Sequence, residues 1–177
     1  MTEQQKKIRI MVTAAFFVAL DILTARYLGF ELPSPIGPIK FDFQLVVAAL
    51  CGYVLGPWQA GLTLVCSDLL GAALNSGSLG IFLGFTLSAA VRGVLFGLLL
   101  HEKKLSLPRM AGSIALVFLI TDWGLNTLWL SIMLGTPYFP YLLARFFPKM
   151  VLLIADLGVS LCLGKLFTLL QKRRIAG

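Results

Sequence analysis

Six ionisable residues lie within the apolar stretches of the sequence, where their charged groups need polar partners. They are Asp21, Arg26, Asp68, Arg92, Asp122 and Asp156. A charge inside an apolar membrane helix is costly unless it faces protein or water, so such residues are rare and mark solute pathways or binding sites. The pattern predicts a protein that handles a polar solute within a membrane.

The composition places the chain in a lipid bilayer. Hydrophobic residues make up 58% of it and charged residues only 13%, whereas soluble domains average about 25% charged residues. At about 20 residues per span, the chain has room for about six helices and no separate soluble domain. The sequence therefore predicts an all-α integral membrane protein, with residues 1–177 forming a single transmembrane domain.

Glycine, proline and turn residues divide the apolar sequence into six predicted transmembrane helices. Each break combines residues that end a helix or cannot continue one. The predicted helices cover about residues 8–27, 41–55, 57–74, 80–100, 108–134 and 141–171.

Lysine and arginine accumulate on one side of this predicted topology. Most of the 15 lie at the N terminus, between the fourth and fifth helices, or at the C-terminal end. Because cytoplasmic flanks carry the excess of Lys and Arg, both termini are predicted to be cytoplasmic. The net charge of +7 follows from this topology and does not require a nucleic-acid partner.

Three of the buried charges are predicted to meet near the middle of the membrane. Counted at about 1.5 Å per residue, Arg92, Asp122 and Asp156 lie at similar depths in their helices. Asp21 and Asp68 lie closer to the outer surface. The three deep charges either contact a ligand or form a structural network that only fixes helix packing.

A second group of cations is predicted at the outer rim. Arg26, Arg145 and Lys149 lie beside the outer loops, where they can bind an anionic ligand. Arg145 and Lys149 can equally be anchors that extend to the membrane edge. Cations at the mouth with carboxylates below suit a ligand that has one anionic end and one end with N–H donors.

Two further features complete the candidate residues. Trp129 lies three positions after Asn126 on one helix face and is predicted to stack on a planar ligand. The first helix contains Ala15-x-x-x-Ala19, a small-residue pattern that allows another helix to approach closely. This pattern fits contact with a partner or contact inside the protein.

Three stretches together resemble a known family of vitamin transporters. They are the Ala15-x-x-x-Ala19 element, the loop Leu-Pro-Ser-Pro-Ile-Gly-Pro-Ile-Lys-Phe at residues 32–41, and the run from Gly-Pro at 56–57 to Ser-Asp-Leu-Leu-Gly at 67–71. With the six-helix size, they resemble the substrate-binding S-components of energy-coupling factor (ECF) transporters. Within that family the folate-specific members are the most similar.

The resemblance implies a binding subunit of an ABC importer in the bacterial plasma membrane. Such a subunit captures a vitamin from outside, then associates with a transmembrane coupling subunit and two cytoplasmic ATPases. The alanine face of the first helix would dock on the coupling subunit. The sequence contains no Walker A motif, so ATP hydrolysis is expected of the partners and no enzymatic activity, cofactor or metal is expected of this chain.

The resemblance also suggests roles for individual residues, with folate or a related vitamin as the ligand. Arg26, Lys40, Arg145 or Lys149 would bind its carboxylates, Asp68 or Asn75 its pterin edge, and Trp129 its ring. Pro38 would belong to a rigid lid loop, while Arg92 would contact ligand or hold Asp122. Two alternatives stay open: an S-component for another vitamin, and a stand-alone secondary transporter coupled to protons or sodium.

Overall fold

The computed structural model describes residues 3–32, 39–41, 43–74, 82–103 and 106–162. Helices make up most of this part of the chain. Their bounds are α1 Glu3–Ile22, α2 Gln44–Leu55, α3 Pro57–Leu74, α4 Leu83–Leu100, α5 Leu107–Phe118, α6 Asn126–Leu134, α7 Tyr138–Ala144 and α8 Phe146–Cys162. Two segments have the wider π-helical geometry: the first π turn, Leu23–Tyr27, follows α1, and the second π turn, Leu119–Leu125, joins α5 to α6.

A short antiparallel pair of strands follows the first π turn. Strand β1, Phe30–Leu32, pairs with β2, Ile39–Phe41, with Phe30 opposite Phe41. This pairing corrects the predicted start of the second helix, because residue 41 belongs to β2 and α2 begins at Gln44. Pairing satisfies backbone groups that a helix would otherwise satisfy. The proline-containing residues 33–38 lie outside the described part of the chain.

Glycine sets two of the helix ends. Gly56 follows α2 with a φ of 84°, and Gly135 ends α6 in the left-handed region with a φ of 63°. Residues with a side chain rarely adopt such values, whereas glycine does so without strain. Pro57 then begins α3, where its fixed φ suits a first helical position. The breaks between α2 and α3 and after α6 therefore follow directly from residue type.

Helices α2, α3 and α4 pack closely in the centre of the protein. A Cβ built on Gly93 of α4 would lie 2.6 Å from the carbonyl oxygen of Ala60 in α3. A Cβ built on Gly52 of α2 would lie 2.7 Å from the Cβ of Phe96 in α4. Small residues at crossings let helix backbones approach, as in membrane helix pairs generally. Buried side chains of α2 include Leu45, Val46, Val47, Ala48, Ala49 and Cys51.

The last predicted helix, 141–171, is interrupted near its beginning. Arg145 separates α7 from α8, which places Pro148 in the first turn of α8. Proline is tolerated there because the first turn has no intrahelical acceptor for its N–H. The Lys149 N–H still donates to the Arg145 carbonyl oxygen at 3.1 Å, so a backbone bond bridges the interruption. Residues 163–171 lie outside the described residues.

Among the described residues, three helical stretches are long and apolar enough to cross a membrane: Glu3–Ala25, Leu83–Leu100 and Pro108–Leu134. Gln44–Leu55 is a shorter apolar helix. Large apolar side chains also face outwards, since Trp58 is 79% and Phe147 is 81% exposed. Apolar surface of this kind is typical of a membrane-contacting protein.

Candidate functional site

A chain of polar contacts begins at α1 and crosses the buried centre. The Oδ2 atom of Asp21, a residue only 1% exposed, accepts hydrogen bonds from Ser67 Oγ at 2.5 Å and Gln44 Nε2 at 3.0 Å. The Oε1 atom of Gln44 accepts a hydrogen bond from Arg92 Nη1 at 2.8 Å. The two ends of one amide therefore join a buried carboxylate on α1 to a buried guanidinium on α4.

The chain of contacts continues at Asp122, whose carboxylate is shared by two cations. Arg92 Nη2 lies 3.8 Å from Asp122 Oδ2, and Lys149 Nζ lies 3.4 Å from Asp122 Oδ1. Asn126 Nδ2 also donates to Asp122 Oδ1 at 3.4 Å. Arg92 and Asp122 meet as their depths predict. Because two cations face one carboxylate, these three side chains together carry a net positive charge.

The burial of Arg145 and Lys149 contradicts their interpretation as exposed anchors at the membrane edge. Each is only 5% exposed. The interruption between α7 and α8 and the pairing with Asp122 explain this, because they hold the Lys149 ammonium inside the protein. An anchor that extends to the membrane edge would leave its charged group in water. Ligand binding by either residue stays a prediction.

Arg145 has unused donor capacity. Its Nε and Nη1 atoms have no hydrogen-bond partner among the described residues. The guanidinium carbon lies 5.5 Å from the centre of the Tyr141 ring, a cation–π contact that leaves these N–H groups unsatisfied. A buried donor without an acceptor costs free energy, and a bound anion would recover that cost. Arg145 is therefore well suited to bind a carboxylate.

Trp129 contacts α4 at Ser88, which lies one helical turn before Arg92. Its Nε1–H donates to Ser88 Oγ at 3.0 Å, and its ring covers Gly84, where a Cβ would lie 2.7 Å from the indole. The ring centre of Phe82 lies 6.0 Å away at a tilted angle. These contacts fix the orientation of the indole. Stacking of Trp129 on a planar ligand stays a prediction.

The remaining described carboxylates of the predicted set occupy two different environments. Asp68 Oδ2 accepts a hydrogen bond from Thr86 Oγ1 at 2.7 Å, which ties α3 to α4. Asp156 on α8 is 1% exposed. The predicted meeting of Asp156 with Arg92 and Asp122 stays a prediction.

Several predicted site residues fall where the structure gives no side-chain information. Pro38 and Asn75 lie outside the described residues. Arg26 lies in the first π turn and Lys40 in β2, opposite Glu31 in register, with only their backbones described. Their assignment to the ligand site stays a prediction.

Ala15 and Ala19 both lie on an exposed part of α1. Phe16 beside them is 63% exposed, whereas Phe17 is buried against α2. The alternative that these alanines make contacts inside the protein is therefore contradicted for the described residues. An open face with small residues is available to lipid or to another helix.

Gln44 is a central member of the cluster that the charge pattern does not reveal, because it is neutral. One signal in the sequence did point to it. Gln44 is the polar first residue of a helix whose other positions are almost entirely apolar. A half-buried polar side chain in such a helix needs partners, and Gln44 contacts both Asp21 and Arg92.

Comparisons with known proteins agree with this architecture. A sequence model of the family described as "ECF transporter, substrate-specific component" matches residues 9–171. "Folate transporter FolT" of Clostridium novyi is 32% identical over 130 residues, which is 73% of this chain and 73% of that protein. "Folate transporter FolT" of Leuconostoc mesenteroides is 29% identical over 146 residues, 81% of this chain and 75% of that protein.

Solved structures show the same fold. The crystal structure of FolT bound with folic acid superimposes with a TM-score of 0.71 at 24% identity, covering 85% of this chain and 86% of that one. The S-component for biotin from an ECF-type ABC transporter superimposes with a TM-score of 0.69 at 18% identity, covering 93% and 95%. The family match and the shared fold together define the class of protein as a substrate-specific component of a transporter. The chain belongs to the substrate-specific component family of ECF transporters.

Proposed function

We propose that this S-component binds folate or a closely related vitamin and delivers it for uptake. The observation that carries the proposal is the cation cluster, in a chain that is 32% identical to a curated folate transporter. In this cluster Arg92 and Lys149 contact Asp122, and the buried Arg145 lies one helical turn before Lys149. Folate carries the carboxylates of its glutamate tail at one end and N–H donors of its pterin ring at the other. Buried cations and buried carboxylates in one site match both ends.

The contacts distinguish the two cations of α7 and α8. Lys149 pairs with Asp122, whereas two donor nitrogens of Arg145 have no hydrogen-bond partner among the described residues. We therefore assign a folate carboxylate first to Arg145, with Lys149 adding positive charge from one helical turn away. Trp129 would stack on the ring system, and Asp68 or Asn75 would accept from the pterin edge.

A substitution of Arg145 tests the assignment. Arg145→Met should weaken folate binding by about ten- to a hundredfold, because a charge-assisted hydrogen bond contributes about 1.5–3 kcal/mol. The matched control is Arg9→Met, which removes an exposed arginine of α1. Calorimetric titration of detergent-purified protein gives both affinities. Folate affinity within twofold of wild type for Arg145→Met would reject Arg145 as the carboxylate ligand.

The proposed membrane arrangement has six spans in one domain of a bacterial plasma membrane, with both termini cytoplasmic. In this arrangement α5 and α6 together form one span, and α7 and α8 belong to another. Lys and Arg concentrate on the side of the two termini, as expected for cytoplasmic flanks. Cysteines placed in the termini should react with an impermeant thiol reagent only after the cells are opened.

We further propose that the exposed alanines of α1 dock on a transmembrane coupling subunit, with two ATPases supplying the energy. Ala19→Leu should prevent co-purification with the coupling subunit while leaving folate affinity unchanged, because a larger side chain prevents close helix approach. Ala155→Leu, at an exposed position of α8, is the matched control. Normal assembly of the Ala19→Leu protein would reject this docking face.

A further inference from the structure

Gln44 connects two parts of the protein that the proposed function uses separately. Its Nε2 donates to Asp21 on α1 at 3.0 Å, and its Oε1 accepts from Arg92 on α4 at 2.8 Å. Arg92 in turn contacts Asp122, which Lys149 also contacts. A continuous series of side chains therefore leads from α1 to the cation cluster.

The helices at both ends of this series have the same unusual geometry. Asp21 lies just before the first π turn, in which the Leu28 N–H donates to the Leu23 carbonyl oxygen at 3.0 Å, five residues back. Asp122 lies inside the second π turn. Such wide turns add a residue to the helical turn and are frequent at functional sites.

We infer that Gln44 is a positioning residue through which ligand bound at the cation cluster orders the C-terminal end of α1. The inference rests on the proposed function, because it takes folate as the ligand. A ligand anion that attracts Arg92 or Lys149 moves these side chains and so changes their contacts with Asp122 and with the Gln44 amide. The amide transmits that change to Asp21, beside the first π turn.

The polarity of the amide explains why glutamine is needed at this position. Only a side chain with both a donor and an acceptor satisfies a carboxylate on one side and a guanidinium on the other. Gln44→Glu keeps an acceptor for Arg92 but replaces the donor to Asp21 with a second carboxylate oxygen. Gln44→Met keeps a similar length and loses both hydrogen bonds.

Hydrogen exchange of the purified protein, measured with and without folate, tests the inference. In the wild type, folate should slow amide exchange about fivefold or more in two segments, residues 17–28 and the first turns of α8. In Gln44→Glu and Gln44→Met the slowing should persist in α8 and disappear from residues 17–28. Gln59→Leu, at an exposed position of α3, is the matched control and should behave as the wild type.

Each result has a distinct meaning. Loss of folate protection in residues 17–28 alone, in either Gln44 variant, supports the positioning role, and a purely structural role would not separate the two segments. Unchanged protection of residues 17–28 in Gln44→Glu would overturn it. The positioning role would also be overturned if folate slowed exchange in α8 of the wild type but not in residues 17–28, because folate would then bind without ordering the end of α1. If Gln44→Met does not fold, Gln44→Glu decides. Absence of folate binding by the wild type would reject the proposed function itself.

Discussion

Removal of the Asp122 carboxylate should destabilise the protein strongly, because two buried cations contact it. Arg92 lies 3.8 Å and Lys149 lies 3.4 Å from its oxygens, and all three side chains are at most 14% exposed. Removing one partner of a buried ion pair costs about 3–5 kcal/mol, mostly because the other charge is left uncompensated. Asp122→Asn leaves the buried Lys149 ammonium without this carboxylate, so we expect a loss within this range.

The loss converts into a shift of the melting temperature. For a chain of this length, 1 kcal/mol corresponds to about 2–4 °C, so the Tm of Asp122→Asn should fall by roughly 6–20 °C. Lys149→Met should cost much less, because Asp122 retains its contact with Arg92. Thermal unfolding of detergent-purified protein without ligand, followed by intrinsic tryptophan fluorescence, measures both values.

The double variant gives the sharpest check on this reasoning. In the Asp122→Asn background, Lys149→Met removes an uncompensated cation and should raise the Tm, although it lowers the Tm of the wild type. Such a change of sign is a coupling that independent sites cannot produce. If Asp122→Asn melts within about 2 °C of the wild type, or if the two effects simply add, the carboxylate does not compensate these cations.

Two further predictions concern packing and the aromatic residue of the site. Gly93→Val should destabilise the protein by about 1–3 kcal/mol, because its Cβ would lie 2.6 Å from the Ala60 carbonyl oxygen. Thermal unfolding measures this loss, and an unchanged Tm would contradict the close crossing of α3 and α4. Trp129→Phe removes the hydrogen bond to Ser88 and should weaken folate binding about tenfold or less. Trp129→Ala also removes the ring and should weaken folate binding more. Equal folate affinities of the two variants in calorimetry would contradict stacking at this position.

The helix pattern could be predicted from residue type, because local rules determine it. Gly56, Pro57 and Gly135 each end or begin a helix through their own backbone preferences. The β1–β2 pairing could not be predicted in the same way. It depends on two segments that meet only after the loop between them has closed, and no local pattern encodes their register.

The candidate site could be predicted in part. Residue depth along helices brought Arg92 and Asp122 together, since a buried charge requires a partner at its own level. The same counting placed Lys149 at the outer rim and Asp122 near the midplane, whereas Lys149 Nζ lies 3.4 Å from Asp122 Oδ1. A count of residue depth assumes a continuous helix, so it does not include the interruption between α7 and α8. It also considers only charged residues, whereas the neutral Gln44 connects two of them.

Titration of the purified wild-type protein with single vitamins tests the central claim most directly. Folate, biotin, thiamine, riboflavin and pantothenate would each be added to the detergent-purified chain, without ATP and without other subunits, and the heat of binding recorded. Tight one-to-one binding of folate alone is the predicted result. Tight binding of another vitamin with no response to folate would contradict the folate assignment, and no binding of any of the five would contradict vitamin capture by this chain on its own.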